Sequence, residues 1–106
     1  MNNSIIMSIE MKDGKLFVGG HRLPKGDVDI LIQLLREGLS AFELMQRLGK
    51  IYPQYIQLRL RVLISLGVII KTAGMGNETT ELGYMKRVSY EINPEIKEEL
   101  KGILNV

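Results

Sequence analysis

The side chains with the clearest capacity for chemistry lie in the middle of the chain, on a predicted helix. Its inward face is apolar and is formed by Ile56, Leu60 and Leu63. At about 100° per residue, the outward face then carries Gln54, Leu58 and Arg61, with Gln57 and Tyr55 on its two borders. In the major groove of DNA, Gln can form two hydrogen bonds with adenine, and Arg can form two with guanine. The residue types on this face therefore suit contact with nucleic-acid bases.

The charge of the chain is unevenly distributed around this helix. Residues 44–77 contain no Asp or Glu, but they contain five basic residues, which are Arg47, Lys50, Arg59, Arg61 and Lys71. The rest of the chain keeps 9 of the 14 basic residues against 12 acidic ones, a net charge of −3. A basic region in an otherwise acidic chain predicts a surface that binds a polyanion. The alternative is that the five charges only solvate two helices.

A helix is predicted over residues 40–48 from the signals at its two ends. Ser40 and Glu43 have the spacing of a capping box, in which each side chain accepts a hydrogen bond from the backbone N–H of the other residue. Gly49 suits the left-handed conformation that ends many helices.

A longer helix is predicted over residues 53–66, and it carries the outward face described above. Pro53 suits its first position, because proline lacks only an N–H that would have no partner there. Gly67 ends the helix. A short capped helix, a glycine turn and a longer helix are together typical of a helix-turn-helix.

Four further elements complete the predicted α+β fold, which we expect to be one domain over residues 1–106. They are a β-hairpin over 5–19, a helix over 27–37, a second hairpin over 68–92 and a helix over 94–104. The first hairpin turns at Asp13-Gly14, because both central residues of a type I′ turn need positive φ. With Lys12 opposite Lys15, the apolar residues of the two strands stay in register. On the first strand these residues are Ile5, Met7, Ile9 and Met11, and their partners include Leu16 and Val18.

The sequence offers no arrangement typical of an enzyme, a cofactor site or a metal centre. The chain has no Cys, its carboxylates are scattered, and its Ser residues have no His partner at any motif spacing. The longest nearly continuous apolar run, over 62–70, is far too short to span a bilayer. The first residues are not typical of a signal peptide. We therefore expect a cytoplasmic protein that is not an enzyme and that binds neither a cofactor, a metal nor a membrane.

The segment from Asp27 to about Leu100 resembles the winged helix-turn-helix domains of small bacterial and archaeal transcriptional regulators. Residues 56–69, IQLRLRVLISLGVI, are similar to the recognition helix of that family as it runs into the first strand of its wing. Residues 90–95, YEINPE, resemble the end of the wing and the start of the following helix. The resemblance implies that the chain binds double-stranded DNA and regulates transcription. The N-terminal hairpin lies outside it.

The resemblance also implies roles for particular residues. Those expected to contact bases are Gln54, Gln57, Leu58 and Arg61. Those expected to contact the DNA backbone are Arg47, Lys50, Tyr55, Lys71, Lys86 and Arg87. Leu58 departs from the family pattern, because a polar residue is more usual there; it would either pack on a thymine methyl group or contact a protein. The wing tip also departs, because Glu78 and Glu81 would repel phosphates. Three basic residues nearer the base of the wing could compensate, and they are Lys71, Lys86 and Arg87. A wing that stays off the DNA is the simpler interpretation.

Regulators of this type usually pair across a two-fold axis, so we expect a homodimer. The predicted interface is the apolar face of the C-terminal helix, formed by Ile96, Leu100, Ile103 and Leu104. Removal of the chain from Glu95 onward would then leave a folded monomer. The N-terminal hairpin is the alternative interface. The alternative function is a winged helix that binds protein rather than DNA, through Tyr55, Leu58 and Val62.

Overall fold

A computed structural model describes residues 8–49, 53–80 and 83–106, with the backbone alone at residue 53 and over 73–80 and 83–87. In this part of the chain the fold is α+β, with four helices and two antiparallel sheets. The elements in chain order are β1 (Ile9–Lys12), β2 (Lys15–Val18), β3 (His21–Arg22), α1 (Lys25–Arg36), α2 (Ala41–Leu48), α3 (Pro53–Ser65), β4 (Ile69–Thr80), β5 (Gly83–Ile92) and α4 (Lys97–Leu104).

The N-terminal sheet has the predicted turn and register. Asp13 and Gly14 have φ values of 54° and 74°, as a type I′ turn requires. Lys12 pairs with Lys15, and Ile9 pairs with Val18. The apolar face is smaller than predicted, since Met11 is 44% exposed. Ile5 and Met7 lie outside the described residues.

The sequence prediction missed β3. Gly19 and Gly20 have φ values of 55° and 81°, so they form a second tight turn rather than an irregular exit. Strand β3 then pairs with β2, with Phe17 opposite Arg22 and Val18 opposite His21. The sheet therefore has the strand order β1-β2-β3.

The two central helices begin and end close to where their sequence signals predict. The backbone N–H of Ser40 donates to Glu43 Oε1 at 3.0 Å, and the N–H of Glu43 donates to Ser40 Oγ at 3.2 Å. This confirms the capping box. Gly49, with φ of 66°, ends α2 in the left-handed conformation, and Gly67, with φ of 80°, follows the end of α3.

The segment before α2 pairs with β5, which was not predicted. The backbone N–H of Leu39 donates to the carbonyl of Tyr90 at 3.1 Å, and the N–H of Tyr90 donates to the carbonyl of Leu39 at 2.8 Å. Strand β5 also pairs with β4, with Ile69 opposite Ile92. Strand β5 therefore lies between β4 and the start of α2.

Helix α4 starts at Lys97, three residues later than predicted, and residues 94–96 form a turn in which the N–H of Ile96 donates to the carbonyl of Asn93 at 3.1 Å. Asn93 Nδ2 donates to the carbonyl of Gly67 at 2.9 Å, and Asn93 Oδ1 accepts from the N–H of Glu95 at 3.0 Å. Its backbone N–H donates to the carbonyl of Val68 at 2.9 Å. Asn93 thus joins the end of β5 both to the turn after α3 and to the turn that precedes α4.

Helix α4 packs on its own chain, against α1 and β1. Leu100 is fully buried and Ile96 is 7% exposed, and both belong to the main core. Ile103 and Leu104 are only partly buried. This corrects the assignment of Ile96 and Leu100 to a dimer interface, because a side chain already enclosed by its own core offers no surface to a partner. We now expect that removal of α4 would open the core rather than leave it intact.

Candidate nucleic-acid interface

Helix α3 presents the four predicted base-contacting side chains on one exposed face. Its opposite face is held in the core by three side chains that are at most 1% exposed, which are Ile56, Leu60 and Leu63. The outward side chains line one open surface depression, and they are Gln54, Gln57, Leu58 and Arg61. The predicted rotation of this helix is therefore confirmed. The depression offers two amides, a guanidinium and an apolar side chain in one row.

Helix α3 is also held by an ion pair to α1. Arg59 Nε donates to Asp27 Oδ1 at 2.8 Å, and Arg59 Nη2 donates to Asp27 Oδ2 at 2.6 Å. Asp27 is fully buried, whereas the Arg59 side chain is 21% exposed. The two parallel bonds give this pair a specific geometry. They therefore set the position of α3 against α1.

The charge of Arg59 is stabilised by this partner. The hydrogen bonds to Asp27 raise the pKa of Arg59 above its ordinary value, and the negative charge of Asp27 adds to this, against the opposing effect of burial. Arg59 therefore stays charged at neutral pH, but its guanidinium is already hydrogen-bonded to Asp27. In the sequence, Arg59 was identified as one of the five basic residues of the region 44–77. A partly buried arginine needs a carboxylate partner, and this requirement could have identified Asp27, the acidic residue in the first turn of α1.

Tyr55 lies where α3 approaches the first turn of α1. Its side chain is 40% exposed. Its hydroxyl lies so close to Gly26 that a Cβ atom there would be 2.9 Å from Tyr55 Oη. The absence of a side chain at Gly26 therefore makes room for this hydroxyl. The predicted phosphate contact of Tyr55 stays a prediction, and the hydroxyl faces its own chain at Gly26.

The other predicted phosphate contacts differ in their surroundings. Arg47 Nη2 donates to Glu37 Oε2 at 2.8 Å in an exposed ion pair. Lys71 is exposed on β4. Lys50 and Glu81 lie outside the part of the chain that the structure describes. The structure also does not describe the side chains of Lys86, Arg87 and Glu78. Glu37 therefore competes with a DNA phosphate for the guanidinium of Arg47.

The surroundings of Arg61 differ from those of Arg47 and Arg59. The side chain of Arg61 makes no hydrogen bond or ion pair among the described residues, and α3 itself contains no Asp or Glu. Its guanidinium has five N–H donors in a fixed planar arrangement. Arg61 is therefore the cation on this face that can bind an acceptor without first losing a partner.

The described residues contain no group of three or more His, Cys, Asp or Glu side chains that could hold a metal ion. None of the helices in the described ranges is long and apolar enough to cross a membrane. Comparisons with protein-family models, with curated proteins and with solved structures found no match to this chain. What the chain does must therefore be inferred from its own residues and their arrangement.

Proposed function

We propose that the chain is a winged helix-turn-helix protein that binds double-stranded DNA and regulates transcription. In this proposal α3 is the recognition helix and the β4–β5 pair is the wing. The observation that carries the proposal is the exposed row of Gln54, Gln57, Leu58 and Arg61 on the second helix of a capped helix pair. A helix of 13 residues is about 20 Å long, and the major groove, about 12 Å wide, admits an α-helix.

The order of the elements supports the same proposal. Three helices are followed by an antiparallel strand pair, and β5 also pairs with the segment before α2 through Leu39 and Tyr90. This connection couples the strands to the helix pair. Because one fold can serve many functions, the proposal depends on the exposed side chains of α3 more than on the order of the elements.

The charges of the site suit two kinds of DNA contact. Arg61 can approach a guanine edge directly, since it has no ion-pair partner among the described residues. Arg47 is paired with Glu37, but both side chains are exposed, and such a pair contributes only about 0–1 kcal/mol. A phosphate can therefore replace Glu37 at little cost. Lys71 is exposed on the proposed wing and can contact the backbone without reading sequence.

The alternative is a protein-binding module that does not bind DNA. The observation in its favour is the exposure of large apolar side chains, with Phe42 62% exposed on α2 and Leu58 53% exposed on α3. Exposed apolar side chains are also common on ordinary protein surfaces when they occur singly. The two proposals differ in what they predict for duplex DNA.

Binding to duplex DNA of mixed sequence is the direct test. We expect binding at low salt, with the logarithm of the association constant falling linearly with the logarithm of salt concentration, because phosphate contacts release counterions. Fluorescence anisotropy with a labelled duplex measures the association constant and its dependence on salt concentration. The control for loss of a positive charge outside the proposed interface is Lys101→Ala, which removes a basic side chain from α4. This variant should bind as the parent does. A lack of binding at low salt would exclude the DNA proposal and favour the protein-binding module.

The roles of Arg61 and Arg47 can be separated by the same measurement on a selected sequence. We expect Arg61→Ala and Gln57→Ala each to weaken binding of the preferred site by about 1–3 kcal/mol and to relax base choice locally. In contrast, Arg47→Ala should weaken binding to all sequences about equally and reduce the salt slope by about one. A loss at Arg47 confined to one sequence would mean that our assignment of the two arginines is wrong.

We keep the homodimer in the proposal, but fewer of the four predicted side chains of α4 are available for its interface. On α4 that surface contains the partly buried Ile103 and Leu104, because Ile96 and Leu100 are enclosed in the core. Sedimentation at micromolar concentration decides whether the chain associates.

A further inference from the structure

We propose that Leu58 makes this interface selective for the 5-methyl group of thymine, an inference that rests on the proposed DNA binding. Leu58 is 53% exposed and lines the same depression as Gln54, Gln57 and Arg61. Residues three and four positions apart are neighbours on a helix, so Leu58 lies between Gln54 and Arg61 along one row. A recognition helix that places this row in the major groove places Leu58 against the edges of the bases that Gln54 and Arg61 would contact.

The chemistry of the groove leaves one good partner for this side chain. Leu58 has neither a hydrogen-bond donor nor an acceptor, whereas most groups on the base edges need one. Thymine is the exception, because its C5-methyl group projects into the major groove and accepts apolar contact. At the same place cytosine carries only a C5 hydrogen and the purines present an N7 acceptor, so neither offers a methyl group to the leucine. The preferred partner of Leu58 is therefore a thymine methyl.

The surroundings of Leu58 favour DNA over an apolar protein surface. On one side its helical neighbours are Gln54 and Arg61, which are polar or charged. On the other side Tyr55 places its hydroxyl beside Gly26, and Val62 is only half-exposed. A protein interface normally needs an apolar patch larger than one leucine. Arg61, without an ion-pair partner among the described residues, supplies positive charge that is complementary to DNA.

Replacement of thymine by uracil tests this inference, because it removes the methyl group and keeps base pairing. A duplex sequence is first selected with the parent protein from a random pool and is then synthesised with thymine or with deoxyuridine. Burial of one methyl group corresponds to a binding loss of about 3- to 5-fold when it is removed. We expect the parent protein to bind the uracil duplex more weakly by about this factor for each methyl contacted.

Two variants show whether Leu58 is responsible. Leu58→Ala removes an exposed side chain from a helix, so it should fold, and we expect it to bind the two duplexes equally. Arg61→Ala is the matched control, which should weaken binding to both duplexes and keep their ratio. An effect of uracil on DNA shape would persist in Leu58→Ala, so that variant separates a methyl contact from a change in the duplex.

The possible outcomes distinguish this inference from the proposed function. If the parent binds both duplexes equally, the methyl contact is wrong while DNA binding stands. If the ratio persists in Leu58→Ala, the thymine preference comes from another residue or from the shape of the duplex, and the assignment to Leu58 is overturned. If no duplex binds at low salt, the proposed function fails and the inference fails with it.

Discussion

Replacing Arg59 with Met is expected to lower the free energy of unfolding by about 3–5 kcal/mol, because it leaves the carboxylate of Asp27 buried without a partner. Asp27 is fully buried and receives both of its hydrogen bonds from Arg59. Methionine keeps much of the length and apolar volume of the arginine side chain, so the lost charge and hydrogen bonds dominate the effect. Urea unfolding followed by circular dichroism measures the change.

The structure offers a matched control for this substitution. Arg47→Met removes an arginine whose pair with Glu37 is exposed, and it should change stability by no more than about 1 kcal/mol. The double variant Asp27→Leu with Arg59→Met should recover most of the loss, because an apolar pair of similar volume often replaces a buried ion pair without cost. Equal effects of Arg59→Met and Arg47→Met would contradict the assigned importance of the buried carboxylate.

Leu100→Ala is expected to lower the free energy of unfolding by about 2–5 kcal/mol, the range for truncating a buried leucine. Leu100 is fully buried where α4 packs on its own chain, against α1 and β1. The same denaturant titration applies. The control is Val106→Ala, at a residue that is 47% exposed, which should change stability by no more than about 0.5 kcal/mol.

The dependence on protein concentration gives this experiment its second readout. If Leu100 stabilises the core of one chain, the loss of stability caused by Leu100→Ala should be the same at all protein concentrations, whether or not the parent associates. If Leu100 instead lay between two subunits, that loss would grow with concentration, since association is linked to folding. A small effect of Leu100→Ala at all concentrations would mean that α4 contributes little to the core.

The sequence alone determined the features that depend on neighbouring residues. The capping box joins Ser40 and Glu43, which are three residues apart, and it was found as predicted. The Asp13-Gly14 turn and the pairing of Lys12 with Lys15 follow from backbone preferences within four residues. The outward face of α3 follows from helical geometry and the positions of its apolar residues. Local chemistry specifies such features without reference to any distant contact.

Tertiary structure decided what each of these faces contacts. An apolar stripe predicts that a helix face is covered but not which surface covers it, so α4 could be assigned to a partner although Leu100 packs inside its own chain. Arg59 and Asp27 are 32 residues apart in sequence, and no local pattern joins them. The hydrogen bonds between Leu39 and Tyr90 likewise join segments that are far apart in the sequence. These contacts set where α3 lies against α1 and where β5 lies against the start of α2, and the first of them helps to determine how the exposed side chains of α3 are presented.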